Sequence, residues 1–144
     1  AGVLSGLSIE RQQEIENKII ELKLQKHVEL HDFTNSIDDV FSKSRIFALS
    51  SIYEGFPNAL IEAMAHGLPP IAYDCPTGPK DIINDNVNGL LVPLSNKELY
   101  VEKLSSLMKS ELKRASLSAN ASKTNEIYSL NRISNEYFNF ILKS

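Results

Sequence analysis

The sequence predicts an α/β fold, a doubly wound parallel sheet with helices on both faces. Three short apolar runs, "RIFALS" (45–50), "PPIAYD" (69–74) and "NGLLVP" (88–93), lack the alternation of a strand with one wet face. Stretches of helical periodicity separate them, and strands alternating with helices argue for βαβ units. Gly and Pro punctuate the joints: Pro57 stands near the start of one helical stretch and Gly67 just past its end.

Taken in order, "SIERQQEIENKIIELKLQ" (8–25) places Ile15, Ile19 and Leu22 at helical spacing, with Ser8 as N-cap and Glu10 in the first turn. "HVELHDF" (27–33) reads as a strand through Val28, Leu30 and Phe33. "SIDDVFSKS" (36–44) suits a short helix, capped by Ser36, with Ile37, Val40 and Phe41 inward. "RIFALS" is a strand buried on both sides, and "PNALIEAMAHG" (57–67) the helix that follows. "LPPIAYD" is a strand whose beginning two prolines restrict. "GPKDIIND" (78–85) is a short helix and "NGLLVP" a strand closed by Pro93. "SNKELYVEKLSSLMKS" (95–110) is an amphipathic helix through Val101, Leu104 and Met108, with Ser95 as cap. The remainder is helical with a break near Ser122 to Asn125. No linker separates two cores, so residues 1–144 read as one domain.

Composition bounds the function. The chain has 144 residues, 42% of them hydrophobic, which is ordinary for a globular domain. A net charge of −3 gives no electrostatic footprint for nucleic acid. The single cysteine, Cys75, excludes an internal disulfide framework and fits a reducing compartment. No apolar stretch approaches the ~20 residues of a membrane span. The opening "AGVLSGLSIE" lacks Met and is apolar, which leads us to expect a piece of a longer chain. No Asp-x-Asp occurs, and the three histidines show no metal-ligand spacing with Cys75 or each other, so no metal is expected.

The chemistry concentrates in "EGFPNALIE" (54–62). The turn lies at a strand's carboxyl end and a helix's N-terminus, where unpaired N–H groups and the helix dipole suit an anion, phosphate above all. Gly55 lets a ligand approach the backbone, and Pro57 loses no helical bond at a first-turn position. Asn58 and Glu62 stand four apart and share a helical face. A carboxylate beside a phosphate site makes sense if it accepts hydrogen bonds from hydroxyls, and a nucleotide sugar carries hydroxyls on both sides of its diphosphate. Composition and spacing alone reach a phosphate-binding α/β domain with flanking carboxylates.

Glu54 and Glu62, set within "SSIYEGFPNALIEAMAHGLPPIA" and followed by "DCPTGPKDIINDNVNGLLVP", resemble the glutamate-pair signature of the retaining glycosyltransferases of family 4. The likeness runs from about Val28 to Pro93. It implies the GT-B architecture, two Rossmann-like domains facing a cleft. This chain would be the C-terminal, donor-binding half, truncated at its N-terminal strand. In that family's terms Glu54 would be the catalytic-site carboxylate that contacts the donor sugar, and Glu62 would hold the ribose hydroxyls. Gly55, Phe56, Pro57, Asn58, Ala59 and Leu60 would form the donor-binding turn, the N–H groups of Phe56 to Ala59 receiving the diphosphate. Phe33 and Thr34 would lie beside the base, although His31 and Asp32 depart from the family's usual "LGF" there. Asp81 replaces the usual glutamate and is given no role.

The resemblance further implies retention at the anomeric carbon, a UDP-sugar donor suggested by "DCPTGP", and a saccharide or lipid-linked acceptor. It implies surface polysaccharide or glycolipid synthesis, no cofactor, and a cytoplasmic location, with peripheral association at the inner face of the membrane for the full protein. The acceptor-binding N-terminal domain is missing, so this fragment is expected to be inactive alone. The competing classes are a non-catalytic nucleotide-binding module and a GT-B epimerase or phosphorylase. Loss of turnover on substituting Glu54 in a full-length enzyme separates transferase from binder. Elsewhere the residues read blandly. His66 caps a helix end, His27 and His31 flank a strand, and Cys75 is a small buried group. The apolar stripe Leu130, Ile133, Tyr137 and Ile141, widened by Phe138, Phe140 and Leu142, reads first as core, second as a surface for the missing domain, and third, with few basic residues beside it, as a membrane-surface face.

Overall fold

In the computed structural model, residues 2–3, 9–31 and 36–143 are described. They form two compact units divided after Asp39. In the first, β1 (Gly2–Val3) and β2 (Leu30–His31) pair in parallel, Gly2 beside Leu30 and Val3 beside His31. Between them runs α1 (Ile9–Glu21), so the unit is βαβ in plan. Ile15 and Ile19 are half-buried, as the periodicity requires. Leu22 does not extend their stripe: the helix has ended, and Leu22 is 52% exposed. The end is a Schellman motif, with Leu24 N–H bonded to Ile19 O and Lys23 N–H to Ile20 O. Lys23 takes the left-handed conformation there (φ 56°), a position usually filled by glycine. The strand expected over 27–33 is shorter than expected, Leu30–His31 only among the described residues. Ser8, Phe33 and Thr34 lie outside the described residues.

The division falls inside α2 (Ile37–Lys43). The second unit holds β3 (Phe47–Leu49), α3 (Asn58–Ala65), β4 (Pro70–Asp74), α4 (Pro79–Ile82) and β5 (Leu90–Pro93). It continues with α5 (Lys97–Lys109), α6 (Glu111–Ala121), α7 (Thr124–Ile127) and α8 (Leu130–Lys143). The three strands form one parallel sheet in the order β3-β4-β5, with Ala48 beside Ile71 and Ala72 beside Leu91. Alternate side chains of the sheet feed two cores. Ala72 turns to Leu60 and Met64 of α3, Ile82 of α4 and Ala121 of α6, with Leu49, Leu91 and Tyr128 at the edge. Ile71, Leu90 and Val92 turn the other way, to Tyr100 and Leu107 of α5 and Leu117 of α6. Helices cover both faces of a parallel sheet, and that is the doubly wound arrangement.

Pro70 opens β4, where a residue without an N–H costs no ladder bond. α3 ends at His66 and Gly67, whose φ of 76° only glycine adopts freely; His66 Nδ1 lies 2.9 Å from Glu62 O, in the capping position expected.

Five expectations change. β3 is not buried on both sides: Ala48 is exposed between half-buried Phe47 and Leu49. The cap of α5 is Asn96, which accepts from Leu99 N–H at 3.1 Å; Ser95 precedes it with φ 66°. The buried stripe of α5 is Tyr100, Leu104 and Leu107, whereas Val101 and Met108 are 57% and 67% exposed. The C-terminal stripe is not core: Leu130, Tyr137, Phe138, Phe140 and Leu142 on α8 are all exposed. The tail also breaks twice, at Ser122–Lys123 and at Tyr128–Ser129.

Candidate functional site

β3 and β4 are adjacent and parallel, so the segments that leave their carboxyl ends, 50–57 and 75–78, emerge side by side. This is the end at which a doubly wound sheet binds its ligands. The first segment carries Glu54, Gly55 and Phe56 and runs into α3 at Asn58. Glu54 is half-buried; Gly55, Phe56, Asn58, Ala59 and Glu62 are exposed. One turn of α3 brings Glu62 over Asn58. The two glutamates thus stand on either side of an exposed turn at a helix N-terminus.

The backbone of that turn is already partly committed. Asn58 N–H is bonded to Phe56 O at 3.0 Å, and Leu60 N–H to Pro57 O at 3.0 Å. Pro57 has no N–H. Of the N–H groups from Phe56 to Ala59, those of Phe56 and Ala59 therefore have no partner in the chain among the described residues. Leu60 is fully buried, so its side chain serves the α3 core rather than the surface. Pro57 is buried as well. Phe56 is 58% exposed, and its ring meets Tyr128 edge-on at 6.0 Å between centroids.

The second segment grips the first. Cys75 Sγ donates to Ser51 O at 3.1 Å, and Thr77 Oγ1 donates to Glu54 O at 2.5 Å. Gly78 (φ 92°) lies so close beneath that a methyl group on it would stand 3.0 Å from Gly55 O and 3.3 Å from Glu54 Cβ. Asp81 accepts the Gly78 N–H at 3.1 Å and so holds the glycine turn itself. Burial pushes the Cys75 thiol up, with the nearby charges of Glu54 and Asp74 adding to it; the group stays a neutral donor. The sequence carried a signal for Gly78 in "PTGP". Asp81 stood out only as a replacement for the usual glutamate, although its bond to Gly78 is local, and Thr77 gave no signal, since it acts on Glu54, a neighbour only the fold defines.

No group of His, Cys, Asp and Glu among the described residues has a metal-binding arrangement. No helix among them is long and apolar enough to cross a membrane. A separate groove runs beside residues that precede β3 and β4, among them Arg45 and Pro69, at the end of the sheet opposite Glu54. It shares no residue with the turn. Glu54, the Gly78 turn and the start of α3 all lie on the carboxyl side of the sheet instead.

Known proteins resemble this chain in sequence and fold. The chain is 37% identical over 102 residues to the amylovoran biosynthesis glycosyltransferase AmsD of Erwinia amylovora, a match covering 71% of this chain and 28% of that protein. A mutant of S. aureus TarM, solved with fondaparinux, α-GlcNAc-glycerol and UDP, superposes with a TM-score of 0.85 at 27% identity, over 95% of this chain and 28% of that one. The C-terminal domain of a group 1 glycosyl transferase (LpcC) from Francisella tularensis superposes at 0.71 and 25% identity, covering 83% of this chain and 63% of that one. The chain spans under a third of the length of AmsD and of TarM. Residues 1–124 match the family described as Glycosyl transferases group 1, a stretch that contains both glutamates and the turn between them, and the chain belongs to that family.

Proposed function

We propose that residues 1–144 are part of the C-terminal, donor-binding domain of a retaining glycosyltransferase of family 4, and that the donor is a UDP-sugar. One observation carries the reading: Glu54 and Glu62 flank an exposed Gly55–Phe56 turn at the carboxyl end of β3 and the N-terminus of α3. Glu62, exposed and one helical turn past Asn58, accepts the ribose hydroxyls. Glu54 faces the sugar side. The N–H groups of Phe56 and Ala59, together with the dipole of α3, take the diphosphate. As the bond between the anomeric carbon and the diphosphate oxygen breaks, negative charge grows on the leaving group. Fixed N–H donors stabilise it by about 3 kcal/mol for each well-placed one. No metal and no cofactor enter this scheme.

UDP is favoured over GDP and ADP because TarM, 27% identical, was solved with UDP. AmsD's role in amylovoran biosynthesis supports a saccharide or lipid-linked acceptor and a part in surface polysaccharide synthesis. The chain spans 28% of AmsD, so the acceptor contacts are proposed to come from an N-terminal GT-B domain outside this sequence, and the chain alone is proposed to be inactive in transfer. We place the full protein in the cytoplasm, at the inner face of the membrane.

The test is ligand-observed NMR of this chain with UDP, GDP and ADP. Binding of UDP near about 1 mM, roughly −4 kcal/mol, with saturation transfer to the ribose protons is expected. Glu62→Ala should weaken it about tenfold or more, the loss of a hydrogen bond to a charged group. Ribose contacts that survive Glu62→Ala unchanged would overturn the assignment.

A further inference from the structure

Two segments leave the carboxyl ends of neighbouring strands, and the second holds the first at three points. The contacts share one aim. Both hydrogen bonds go to backbone carbonyls of the turn segment, Ser51 and Glu54, which bracket its approach to Gly55. Gly78 closes the third side against Gly55 O, Glu54 Cβ and Pro57 Cδ, where no side chain fits. Besides these, the turn is held by buried Pro57, by the Asn58 N–H bond to Phe56 O and by the edge contact of the Phe56 ring with Tyr128, none of which reaches Glu54 or Gly55. Gly55 has no atom within 4 Å of where its own Cβ would be, and Phe56 and Asn58 are exposed. An unsupported glycine turn samples many conformations. A turn that must present N–H groups to an anion needs to be held before the ligand arrives, because freezing it on binding costs affinity.

Building on the donor-site reading, we propose that Thr77 is a positioning residue: its hydroxyl, fixed by the Gly78–Asp81 turn, pins the Glu54 carbonyl and thereby pre-sets the Glu54 carboxylate and the Gly55–Phe56 backbone for the sugar diphosphate. Asp81 acts one step behind it by holding Gly78 N–H. Thr77 is exposed at the mouth of the turn, so its side chain adds nothing to the core. Its hydrogen bond fixes a geometry rather than filling a space.

The experiment compares the wild-type chain with Thr77→Val and Thr77→Ser. Thr77→Val keeps the shape and removes the donor; Thr77→Ser keeps the donor. Without ligand, 15N relaxation reads the clamp directly. Order parameters at Gly55 and Phe56 should fall from about 0.85 toward 0.6 in Thr77→Val and return in Thr77→Ser, while those of Ile71 and Leu90 stay unchanged. With UDP, Thr77→Val should weaken binding about fivefold, the equivalent of one ordinary hydrogen bond, and Thr77→Ser should restore it. Unchanged order parameters in Thr77→Val overturn the clamp, and so does a loss spread equally into the core strands. Failure of UDP to bind the wild type is a different result. It removes the donor-site reading while the relaxation data still decide whether Thr77 holds the turn.

Discussion

Gly78 sits against Pro57 so tightly that a methyl group on its α-carbon would stand 2.9 Å from Pro57 Cδ, closer than real Cβ atoms approach. Its φ of 92° is also one that residues with a side chain rarely adopt. Gly78→Ala meets both obstacles, and neither proline ring nor carbonyl is a flexible chain end that could swing aside. The expected cost is about 2–4 kcal/mol, backbone strain and overpacking together. Urea unfolding measures it, and a midpoint within experimental error of wild type would contradict the packing.

The start of α5 rests on Asn96, whose side-chain oxygen accepts from Leu99 N–H. Asn96→Ala should lower stability by about 1 kcal/mol. Ser95→Gly should do the opposite or nothing, since Ser95 already occupies a left-handed conformation (φ 66°) that glycine adopts without strain. Thermal unfolding of the two variants side by side decides which residue is the cap.

The buried face of α5 is set by Tyr100, Leu104 and Leu107. Leu107 is fully buried, and Leu107→Ala should cost about 2–5 kcal/mol through lost contacts and the space left behind. Val101→Ser and Met108→Ser should each stay within about 0.5 kcal/mol of wild type, as exposed substitutions do. Equal costs for all three would reverse the face assigned to the helix.

Tyr100 supplies the pH prediction. Its hydroxyl is buried and donates to Ile71 O at 3.3 Å. Burial, with Tyr73 contributing, pushes its pKa from the usual 10.0 up to about 12. The folded state holds the phenol proton more tightly than the unfolded chain does. The stability this represents is therefore complete below pH 10 and is lost as pH rises toward 12, about 3 kcal/mol in all. Tyr100→Phe has no charge to bury. Its urea midpoint should lose less than wild type's between pH 9.5 and 11.5, although lysines titrate in both proteins. Parallel curves would show that Tyr100 ionises without cost.

The turn between the glutamates was legible because its signals are local. Gly55, Pro57 and the periodicity of "NALIEAMA" fix a strand–turn–helix within a dozen residues, and Gly67 ends that helix with the positive φ its position requires. The support beneath the turn was not legible. Thr77 meets Glu54 across 23 positions and Cys75 meets Ser51 across 24, and nothing in either stretch names its partner. Lys23, Asn86 and Ser95 adopt positive φ without the glycine that would have announced it. The apolar stripe of α8 was plain in the sequence, but a stripe says only that a face is apolar, and its residues stand exposed here. α5 shows the reverse case. Its period was right and its phase was not, because Val101 and Met108 stand seven apart just as Tyr100 and Leu107 do, and Leu104 fits either stripe.

Cys75 is the only thiol in the chain, 1% exposed, and its Sγ is engaged with Ser51 O at the root of the turn. The molecule therefore carries its own clock. An alkylating reagent reaches that sulfur only when the turn segment lifts or the whole unit opens, so the labelling rate counts openings per unit time. The same rate measured with saturating nucleotide separates the two routes, because a ligand seated on the turn slows lifting in proportion to its occupancy.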